Sequence, residues 1–545
     1  MATNQSSPDA AQPVTECPKK RLFVCCDGTW KDAVNTAAPL TNVARLARCV
    51  KAVSFKNGTQ ILQIVHYQTG IGRGSSTIGR VIDGATGRGI STNIRDAYSF
   101  LCHNFNKDKD EIHLVGFSRG AYTVCCLARL IKDIGILTKS GLTYFPVLFK
   151  RWKAVVHEKN SKEKFQELDS LHSYVGELER ALLTSRGIRI KSIGIWDSVS
   201  ALGIPIPLQF PQPADNAFRS IRAVIPDNVD HCYHALALDE IRKHFEPVIW
   251  EPGRATESSR GFHPPLYLMK QCWFLGEHGD VGGGNIDSAL LSDTSLIWMI
   301  AHLTTAGADF DNQTLYDLLE PKKLLLENAA QTTDQDSPSS ANSTATYQND
   351  YEVDSPRLLR RHSHTRTSAN APKEKISGGL SSQSSTKISF QRAPRKFAWE
   401  LLRRLMGTRR RKPGKEIGCG QLIHWSARLH LRGGHYSPAL KDWTMVRAFQ
   451  EQDFLMLAED AMSRVEKELI QDLLNLNKAP VNKEQADQKD PRGGKFLQFF
   501  EENNEEILRP RRLYVEPRIK PQVMEMDEDI TRHHRELTAA AARTE

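Results

Sequence analysis

Residues 116–120 have the sequence GFSRG, which matches the G-x-S-x-G pattern of a nucleophile elbow. A serine hydroxyl attacks a carbonyl carbon only when a sharp turn exposes it and a neighbouring base takes its proton. The apolar residues 111–115 predict a buried strand before the motif, and the apolar spacing over 121–131 predicts a helix after it. Five matching residues alone are common by chance, but a strand and a helix around them are the context that the motif requires. The pattern therefore predicts acyl transfer with Ser118 as the nucleophile.

A nucleophilic serine needs a histidine as its base, and the histidine needs an acid that fixes its tautomer. In sheets of this kind both follow later strands, in the order serine, acid, histidine. Asp197 directly follows an apolar run that ends at Trp196, and His278 follows the apolar run 272–275 in a segment dense in glycine. Their order and placement predict Asp197 as the acid and His278 as the base.

Simpler interpretations of both residues remain open. Asp197 is equally typical of a turn or a helix N-cap, and His278 is one of 18 histidines and could lie on a surface loop. Asp280 lies close to His278 in the sequence and competes for the role of the acid. Asp239 and His244 also compete, although they lie in a helix-like run that is expected to pack against the core.

The reaction also needs N–H donors for the oxyanion that develops on the substrate. The backbone N–H of Arg119 is one candidate, because this residue follows the nucleophile. The second donor is expected from the loop that begins with Asp27, where Gly28 or Thr29 could present an N–H. The glycine-rich loop over residues 70–74 is the alternative. It is not expected to bind a nucleotide, because it lacks both the Lys-Ser/Thr of a P-loop and the dinucleotide-binding spacing.

The elements that must position these residues alternate between strands and helices. Apolar runs predict strands over 22–26, 61–67, 111–115, 188–196, 233–238 and 266–274. Helical spacing predicts helices over 42–53, 91–105 and 121–131, and the dipeptide Asn57-Gly58 predicts a turn between two elements. Continuous apolar strands that alternate with helices indicate a mostly parallel sheet with helices on both faces. The predicted fold class is α/β, an α/β-hydrolase-like sheet with helical additions and a disordered insert.

Changes in composition divide the chain into five predicted parts. They are a disordered leader over 1–20, an α/β-hydrolase-like catalytic domain over 21–327, a disordered low-complexity insert over 328–395, a helical C-terminal part over 396–477 that packs on the catalytic domain, and a polar, largely disordered tail over 478–545. The insert is dominated by polar residues, which bury too little apolar surface to offset the entropy of ordering them. Within these parts, residues 140–183 predict a helical capping segment, and residues 443–474 predict a further helical section.

Composition narrows the expected partners and cofactors. The chain has 545 residues and a net charge of +9, and the positive charge is concentrated near residues 392–415, so no nucleic acid is expected as a partner. The polar N-terminal residues are not expected to act as a signal peptide, and no stretch of the sequence is apolar for long enough to predict a membrane span. Ten cysteines without metal-ligand spacing indicate buried free thiols in a reducing compartment. We therefore expect a cytoplasmic protein with neither a metal nor a cofactor.

A series of motifs resembles one known family. The matching segments are CDGTW at 26–30, YQTGIGRG at 67–74, GFSRGAY at 116–122, WDSV at 196–199, ALDEIR at 237–242, WFLGEHGDVGGG at 273–284, IHWS at 423–426 and YSPA at 436–439. In this order they resemble the catalytic domain of type VI secretion phospholipase effectors of the first lipase class, a family once catalogued as a domain of unknown function and also widespread in fungi. Ser198, where many members carry threonine, and the insert over 328–395 are departures from the family pattern.

The resemblance implies a serine hydrolase that acts on ester bonds, in the effectors those of phospholipids. It also implies Ser118 as nucleophile, Asp197 as acid and His278 as base. The predicted function is therefore cleavage of carboxylic esters, of lipids or phospholipids, by a Ser-Asp-His triad through an acyl-enzyme. The alternative is a non-catalytic membrane-peripheral or scaffold module that retains the fold.

A basic amphipathic segment begins at Phe397 and ends at Lys412, with apolar residues at helical spacing between arginines and lysines. A helix of this kind can lie on an anionic membrane surface. The alternative is a helix docked on the hydrolase core, followed by a solvated basic turn. The expected partners are thus a lipid or small ester substrate, with peripheral membrane contact through this segment.

Overall fold

The computed structural model describes residues 18–28, 31, 33, 39–70, 88–157, 161–199, 225–242, 245–250, 269–285, 289–319, 411, 413, 421–432, 437, 439–440, 444–449, 456–478, 495–503, 507, 513–515 and 524–526. The strands in this part are β1 Lys19–Cys26, β2 Val53–Lys56, β3 Thr59–Gln68, β4 Glu111–Phe117, β5 Ile136–Leu137, β6 Thr184–Ser185, β7 Ile190–Trp196, β8 Val229–Ala237, β9 Met269–Phe274, β10 Gln421–His424, β11 Thr444–Phe449, β12 Met456–Asp460, β13 Leu513–Val515 and β14 Met524–Met526. The helices are α1 Asn42–Cys49, α2 Arg88–Asn104, α3 Arg119–Ile134, α4 Phe145–His157, α5 Ser161–Arg180, α6 His278–Gly282, α7 Ala289–Thr305, α8 Asn312–Leu319, α9 Ser426–Arg432, α10 Arg464–Lys478 and α11 Lys495–Glu502, with a 3-10 helix at Gly141–Tyr144.

Within the described residues, one large sheet has the strand order β14-β11-β13-β12-β10-β9-β8-β7-β4-β1-β3-β2. Neighbouring strands are parallel from β12 through to β3. Antiparallel strands flank this parallel centre, β2 at one edge and β13, β11 and β14 at the other. The predicted fold class, an α/β protein with a mostly parallel sheet, is confirmed.

Both faces of the central strands are covered by helices, as their continuous apolar sequence predicts. In β1, Leu22 and Val24 point into a core shared with helices α2 to α5, and both side chains are fully buried. Phe23 and Cys25 point to the opposite face, where they pack with residues of α1, α7 and α8. Burial of each large apolar side chain stabilises the fold by about 1.5–3 kcal/mol. None of the described helices is both long enough and apolar enough to cross a membrane.

The order of the parallel strands reverses between β1 and β4. The chain passes from β1 to β3 on one side of β1 and then returns to form β4 on the other side. In open α/β sheets, ligands bind at the carboxyl ends of the strands beside such a switch point. A functional site is therefore expected among the residues that follow β1 and β4.

The predicted helix over 42–53 is wrong at its end. The helix stops at Cys49, and Val53 begins strand β2, which pairs antiparallel with β3. Asn57 and Gly58 join these strands with positive φ angles of 50° and 77°, the conformation that an Asn-Gly hairpin turn adopts. The predicted turn is correct, and the helix ends before it because Val50, at the helix C-cap, has an extended backbone.

Beyond residue 440 the sequence predictions are also partly wrong. Strands β11 and β12 occupy part of the stretch predicted to be helical over 443–474, and a helix, α10, begins only at Arg464. Short apolar runs fit a strand and a helix equally well by periodicity. Helix α11 lies inside the range predicted to be a disordered tail, and its Leu497 and Phe500 are buried in the core. The predicted insert over 328–395 and nearly all of the leader over 1–20 lie outside the described residues.

Candidate active site

Ser118 stands on the tight turn between strand β4 and helix α3. Its φ and ψ are 57° and −120°, a combination that a residue with a Cβ rarely adopts. The flanking glycines make the turn possible, because a Cβ at Gly116 would lie 2.6 Å from the Cα of Ala121, and one at Gly120 would lie 2.1 Å from the carbonyl oxygen of Cys26. The elbow is thus held by backbone in direct contact with backbone, which fixes the serine at the carboxyl edge of the sheet.

Asp197 follows strand β7, the neighbour of β4, and also has a positive φ, of 39°. Its carboxylate is fully buried. Asp197 Oδ1 accepts a hydrogen bond from the N–H of Ala237 at 3.0 Å, and Oδ2 lies 2.6 Å from Nδ1 of His278. A carboxylate can only accept a hydrogen bond, so this contact requires the proton on Nδ1 and leaves Nε2 of His278 as the unprotonated nitrogen of the neutral ring.

His278 is the first residue of helix α6 and is nearly buried. Its ring lies 4.7 Å from the ring of Phe117, centroid to centroid, and 5.0 Å from that of Phe245, which meets it edge-on. The backbone N–H of His278 donates to Glu240 Oε2 at 3.3 Å, and Glu240 in turn is paired with Arg242. Two aromatic contacts and the hydrogen bonds at both ends of the residue restrict the imidazole to one orientation.

Asp197 and His278 are in direct contact, and contacts of neighbouring residues bring Ser118 close to them. The N–H of Ser118 donates to the carbonyl of Trp196 at 3.1 Å, which fixes Ser118 beside the residue before Asp197. Phe117, the residue before Ser118, is the one whose ring contacts His278. Helix α6 also packs closely here, since a Cβ at Gly282 would lie 2.0 Å from the ring of Phe117. The fold therefore brings Ser118, Asp197 and His278 to one place, the carboxyl edge of β4, β7 and β9.

The competing carboxylates have other partners. Asp280 Oδ2 accepts the N–H of Glu277 at 2.8 Å as part of a capping box at the start of α6. Asp239 accepts the N–H of Gly276 at 2.8 Å and the hydroxyl of Ser437. Both therefore shape the loop that carries the histidine, and neither bonds to its ring in these contacts. His244, the other competitor, lies outside the described residues.

The predicted oxyanion donors are found beside the nucleophile only in part. Arg119 opens helix α3, so its N–H lies at the helix N-terminus, directly after the serine. Gly28 is also adjacent, because a Cβ there would be 3.4 Å from the Cβ of Ser118, but its N–H donates to Asp27 Oδ1 at 2.6 Å. Thr29 lies outside the described residues, as does nearly all of the alternative loop over 70–74. The second donor stays a prediction.

Asp27 itself has a structural environment that its sequence position does not reveal. Its Oδ2 accepts hydrogen bonds from the hydroxyls of Tyr67 at 2.6 Å and Thr41 at 2.7 Å. Thr41 also caps helix α1, accepting the N–H of Ala44 at 3.2 Å. Burial raises the pKa of the Asp27 carboxyl, against the opposing effect of these hydrogen bonds. Asp27 thus anchors the loop after β1 to its neighbours.

Two charged residues at this site were given no role by the sequence. Glu240 belongs to the ALDEIR segment, so its only signal was the family resemblance. Arg411 was expected on a solvated basic turn or at a membrane surface, and this expectation is wrong for that residue, since its side chain is only 4% exposed. Its guanidinium donates to Asp197 through Nη1 at 2.5 Å and Nη2 at 2.9 Å. Burial alone would raise the pKa of the Asp197 carboxyl, but Arg411 and the hydrogen bond from His278 lower it well below its ordinary value.

Metal ligation has no support among the residues that the structure describes. No group of three or more His, Cys, Asp or Glu side chains in that part of the chain has an arrangement suited to a metal ion. The cysteines resolved there are free thiols.

The mostly parallel sheet with helices on both faces defines an α/β protein of the α/β-hydrolase-like class. Comparison with known families agrees: the model of the T6SS phospholipase effector Tle1-like catalytic domain matches residues 20–302, slightly more than half of the chain. The chain belongs to this family. Membership supports a hydrolase of the lipase or phospholipase type in general terms, and it confirms the resemblance seen in the sequence.

Two individual proteins are similar over part of their length. An uncharacterized protein of Saccharomyces cerevisiae, YEL023C, is 28% identical over 267 residues, which is 46% of this chain and 35% of the yeast protein. The match thus spans about a third of that curated relative. The crystal structure of an uncharacterized protein from Pseudomonas aeruginosa is 16% identical, with a TM-score of 0.31, and the match covers 54% of this chain and 47% of that one.

Proposed function

We propose that this protein is a serine hydrolase that cleaves the carboxylic esters of lipids through an acyl-enzyme. Ser118 is the nucleophile, His278 the general base and acid, and Asp197 the carboxylate that holds the histidine. The single observation that carries the proposal is the 2.6 Å contact between Asp197 and His278 beside a serine on a glycine-flanked elbow. An ionised acid, a histidine held in one tautomer and a serine on a tight turn are what this chemistry requires.

In the first half of the reaction, Ser118 Oγ forms a bond to the ester carbonyl carbon while His278 Nε2 takes the hydroxyl proton. The imidazolium that results is stabilised by the Asp197 carboxylate through Nδ1–H. The tetrahedral intermediate then collapses, the bond from carbon to the alcohol oxygen breaks, and the leaving alcohol takes the proton from Nε2. Ser118 is left as an acyl ester.

In the second half, a water molecule attacks the acyl carbon and gives its proton to Nε2. The bond from carbon to Ser118 Oγ breaks, the serine recovers the proton from His278, and a carboxylic acid leaves. In both halves the negative charge on the carbonyl oxygen needs preorganised donors, and the N–H of Arg119 at the start of α3 is one of them. The second comes from the loop after β1, whose Gly28 adjoins the serine.

A lipid ester is the proposed substrate class because the family consists of catalytic domains like that of a phospholipase effector. Contact with a membrane through the segment from Phe397 to Lys412 is part of this proposal. That segment lies outside the described residues except for Arg411, which is buried against Asp197. The remaining basic residues of the segment are thus the ones to test for membrane contact.

The proposal is tested with a panel of short-chain esters, acylglycerols and phospholipids on the wild type and on Ser118→Ala. We expect hydrolysis by the wild type and loss of about 10³-fold or more in kcat for the variant, as when a triad member is removed. Labelling by a fluorophosphonate, located by peptide mass spectrometry, should occur at Ser118 and should be blocked in His278→Gln. Ser118 and His278 are buried to a similar extent, and a circular dichroism spectrum of each variant checks that it has folded.

Two outcomes would count against this function. Full turnover by Ser118→Ala would remove the serine from the mechanism. Absence of labelling in a folded wild-type protein, together with no hydrolysis across the panel, would support the non-catalytic scaffold instead.

A further inference from the structure

Arg411 joins three separate parts of the chain at the proposed site. Its Nη1 and Nη2 contact the two oxygens of Asp197, after strand β7, at 2.5 and 2.9 Å. Nη1 also donates to the carbonyl of Ala237, at the end of β8, and Nη2 donates to the carbonyl of Phe245 at 2.6 Å. Phe245 is the residue whose ring meets His278 edge-on. One guanidinium thus connects the acid to the wall that holds the histidine.

This arrangement is unusual in where the arginine comes from. Arg411 lies 214 residues after Asp197 in the sequence and outside residues 20–302, the part that matches the family's catalytic domain. Both side chains are buried, with exposures of 4% for Arg411 and 0% for Asp197. An arginine in this position bonds with paired donors in a fixed fork, which a single-point cation such as lysine does not reproduce.

We propose that Arg411 is a positioning residue of the triad, which fixes the Asp197 carboxylate so that Oδ2 faces His278 Nδ1. This inference rests on the proposed function, in which Asp197 orients the base. The carboxylate has two oxygens and one rotatable bond at its end, so a single contact from His278 leaves it free to turn. The two donors of Arg411, together with the N–H of Ala237 on Oδ1, remove that freedom.

A second consequence concerns the charge of the acid. Asp197 is taken fully out of water, and an isolated buried carboxylate is costly unless it is paired and hydrogen-bonded. Arg411 supplies a full positive charge in a bidentate contact, which keeps the carboxylate ionised while His278 is still neutral. The C-terminal part of the chain therefore completes the site that the catalytic domain begins.

The test compares Arg411→Ala and Arg411→Lys with the wild type in steady-state hydrolysis of a soluble ester. We expect kcat to fall by about 10- to 100-fold in Arg411→Ala, the cost of a lost supporting contact or a small misplacement, with KM nearly unchanged. Arg411→Lys retains the positive charge without the paired donors of the guanidinium, so its kcat should lie between those of the wild type and Arg411→Ala. Guanidinium ion at non-denaturing concentration should restore part of kcat to Arg411→Ala, whereas urea, which is neutral and similar in shape, should not.

Arg21→Ala is the matched control. Arg21 is also buried and also pairs with a carboxylate, Glu111 at 3.0 Å, but it lies at the amino-terminal end of β1. Glu111 begins the strand that ends just before Ser118, so the pair lies about 20 Å from the site by strand rise. Arg21→Ala should lower the melting temperature while leaving kcat unchanged below the melt, and guanidinium should not alter its kcat.

Failure of this inference can be told from failure of the proposed function. The Nδ1 proton of His278 gives a downfield proton resonance, assigned by its loss in His278→Gln, that does not depend on turnover. A shift or loss of that resonance in folded Arg411→Ala supports the positioning role even when no ester is hydrolysed. An unchanged resonance with wild-type kcat, or equal rescue by urea and guanidinium, overturns it.

Discussion

Replacing Ser118 by alanine and by glycine separates its chemistry from the strain of its backbone. With φ of 57° and ψ of −120°, Ser118 occupies a conformation that glycine adopts freely and that other residues adopt at a cost of about 1–3 kcal/mol. Alanine keeps the Cβ and therefore keeps the strain. Glycine removes it, but the more flexible unfolded chain then costs about 0.4–1 kcal/mol.

The free energy of unfolding is therefore expected to be about 1 kcal/mol larger for the glycine variant than for the alanine variant. For a cooperative unit of roughly 300 residues, that free energy raises the melting temperature by about 1–2 °C. Both variants should be inactive in ester hydrolysis, since both lack the hydroxyl. Thermal unfolding of the two proteins, followed by circular dichroism under identical conditions, measures the difference.

The expected ranking is Ser118→Gly above Ser118→Ala, with the wild type close to the alanine variant. A glycine variant that melts at or below the alanine variant would refute the argument that the elbow is strained. It would also show that the Cβ of residue 118 contributes packing that exceeds the strain. A matched pair at Asn57, whose φ is also positive, controls for the general effect of alanine and glycine at such positions.

Three further outcomes follow from close packing and from burial. Gly120→Ala should destabilise the fold by about 3 kcal/mol or more, because the new Cβ meets backbone at 2.1 Å, whereas Gly279→Ala, with nothing within 4 Å, should be neutral or stabilising by thermal melting. Gly28→Ala places a Cβ 2.9 Å from the ring of Phe117, the residue before Ser118. We expect kcat/KM to fall by about tenfold or more with little change in the melting temperature. Unchanged kinetics would contradict the close contact between this loop and the site. Burial lowers the pKa values of His113 and His234 from 6.5 to about 3, so the stability they contribute is complete above pH 6.5 and is lost as the pH falls towards 3. At pH 5 each of these histidines lowers the free energy of unfolding by about 2 kcal/mol. His113→Gln should therefore lose less stability between pH 7.5 and pH 5 than the wild type. An equal loss in the two proteins would contradict the assignment.

Local sequence predicted the elbow and the central strands because their signals are short-range. The pattern around Ser118 needs only a strand, a turn and a helix in succession, and the turn is tight enough that a Cβ at residue 116 or 120 would meet backbone. The helix boundary at Cys49 shows the limit, since apolar spacing continued past the point where the hairpin at Asn57 imposes a strand. Boundaries depend on competition between neighbouring signals, and spacing measures only one of them.

Strands at the far edge of the sheet were beyond the same reasoning. Strand β12 pairs with β10 in parallel and with β13 in antiparallel orientation, and β13 comes from a stretch predicted to be a polar tail. A strand of three to six residues has no periodicity strong enough to distinguish it from a loop. Its partner decides its conformation, and that partner lies tens of residues away.

The sequence by itself determined which residues could perform the chemistry, because Ser118, Asp197 and His278 each follow an apolar strand in the order that a triad requires. Only the tertiary structure decided the contact of Asp197 with His278, the capping role of Asp280, the hydrogen bond of Asp239 to the loop before His278 and the contact of Arg411 with Asp197. The physical reason is that the sequence position of a charged side chain does not show which residue it pairs with in the folded protein. Arg411 has the same composition signal as the basic residues around it, and only the burial of an opposite charge at the end of β7 selects it.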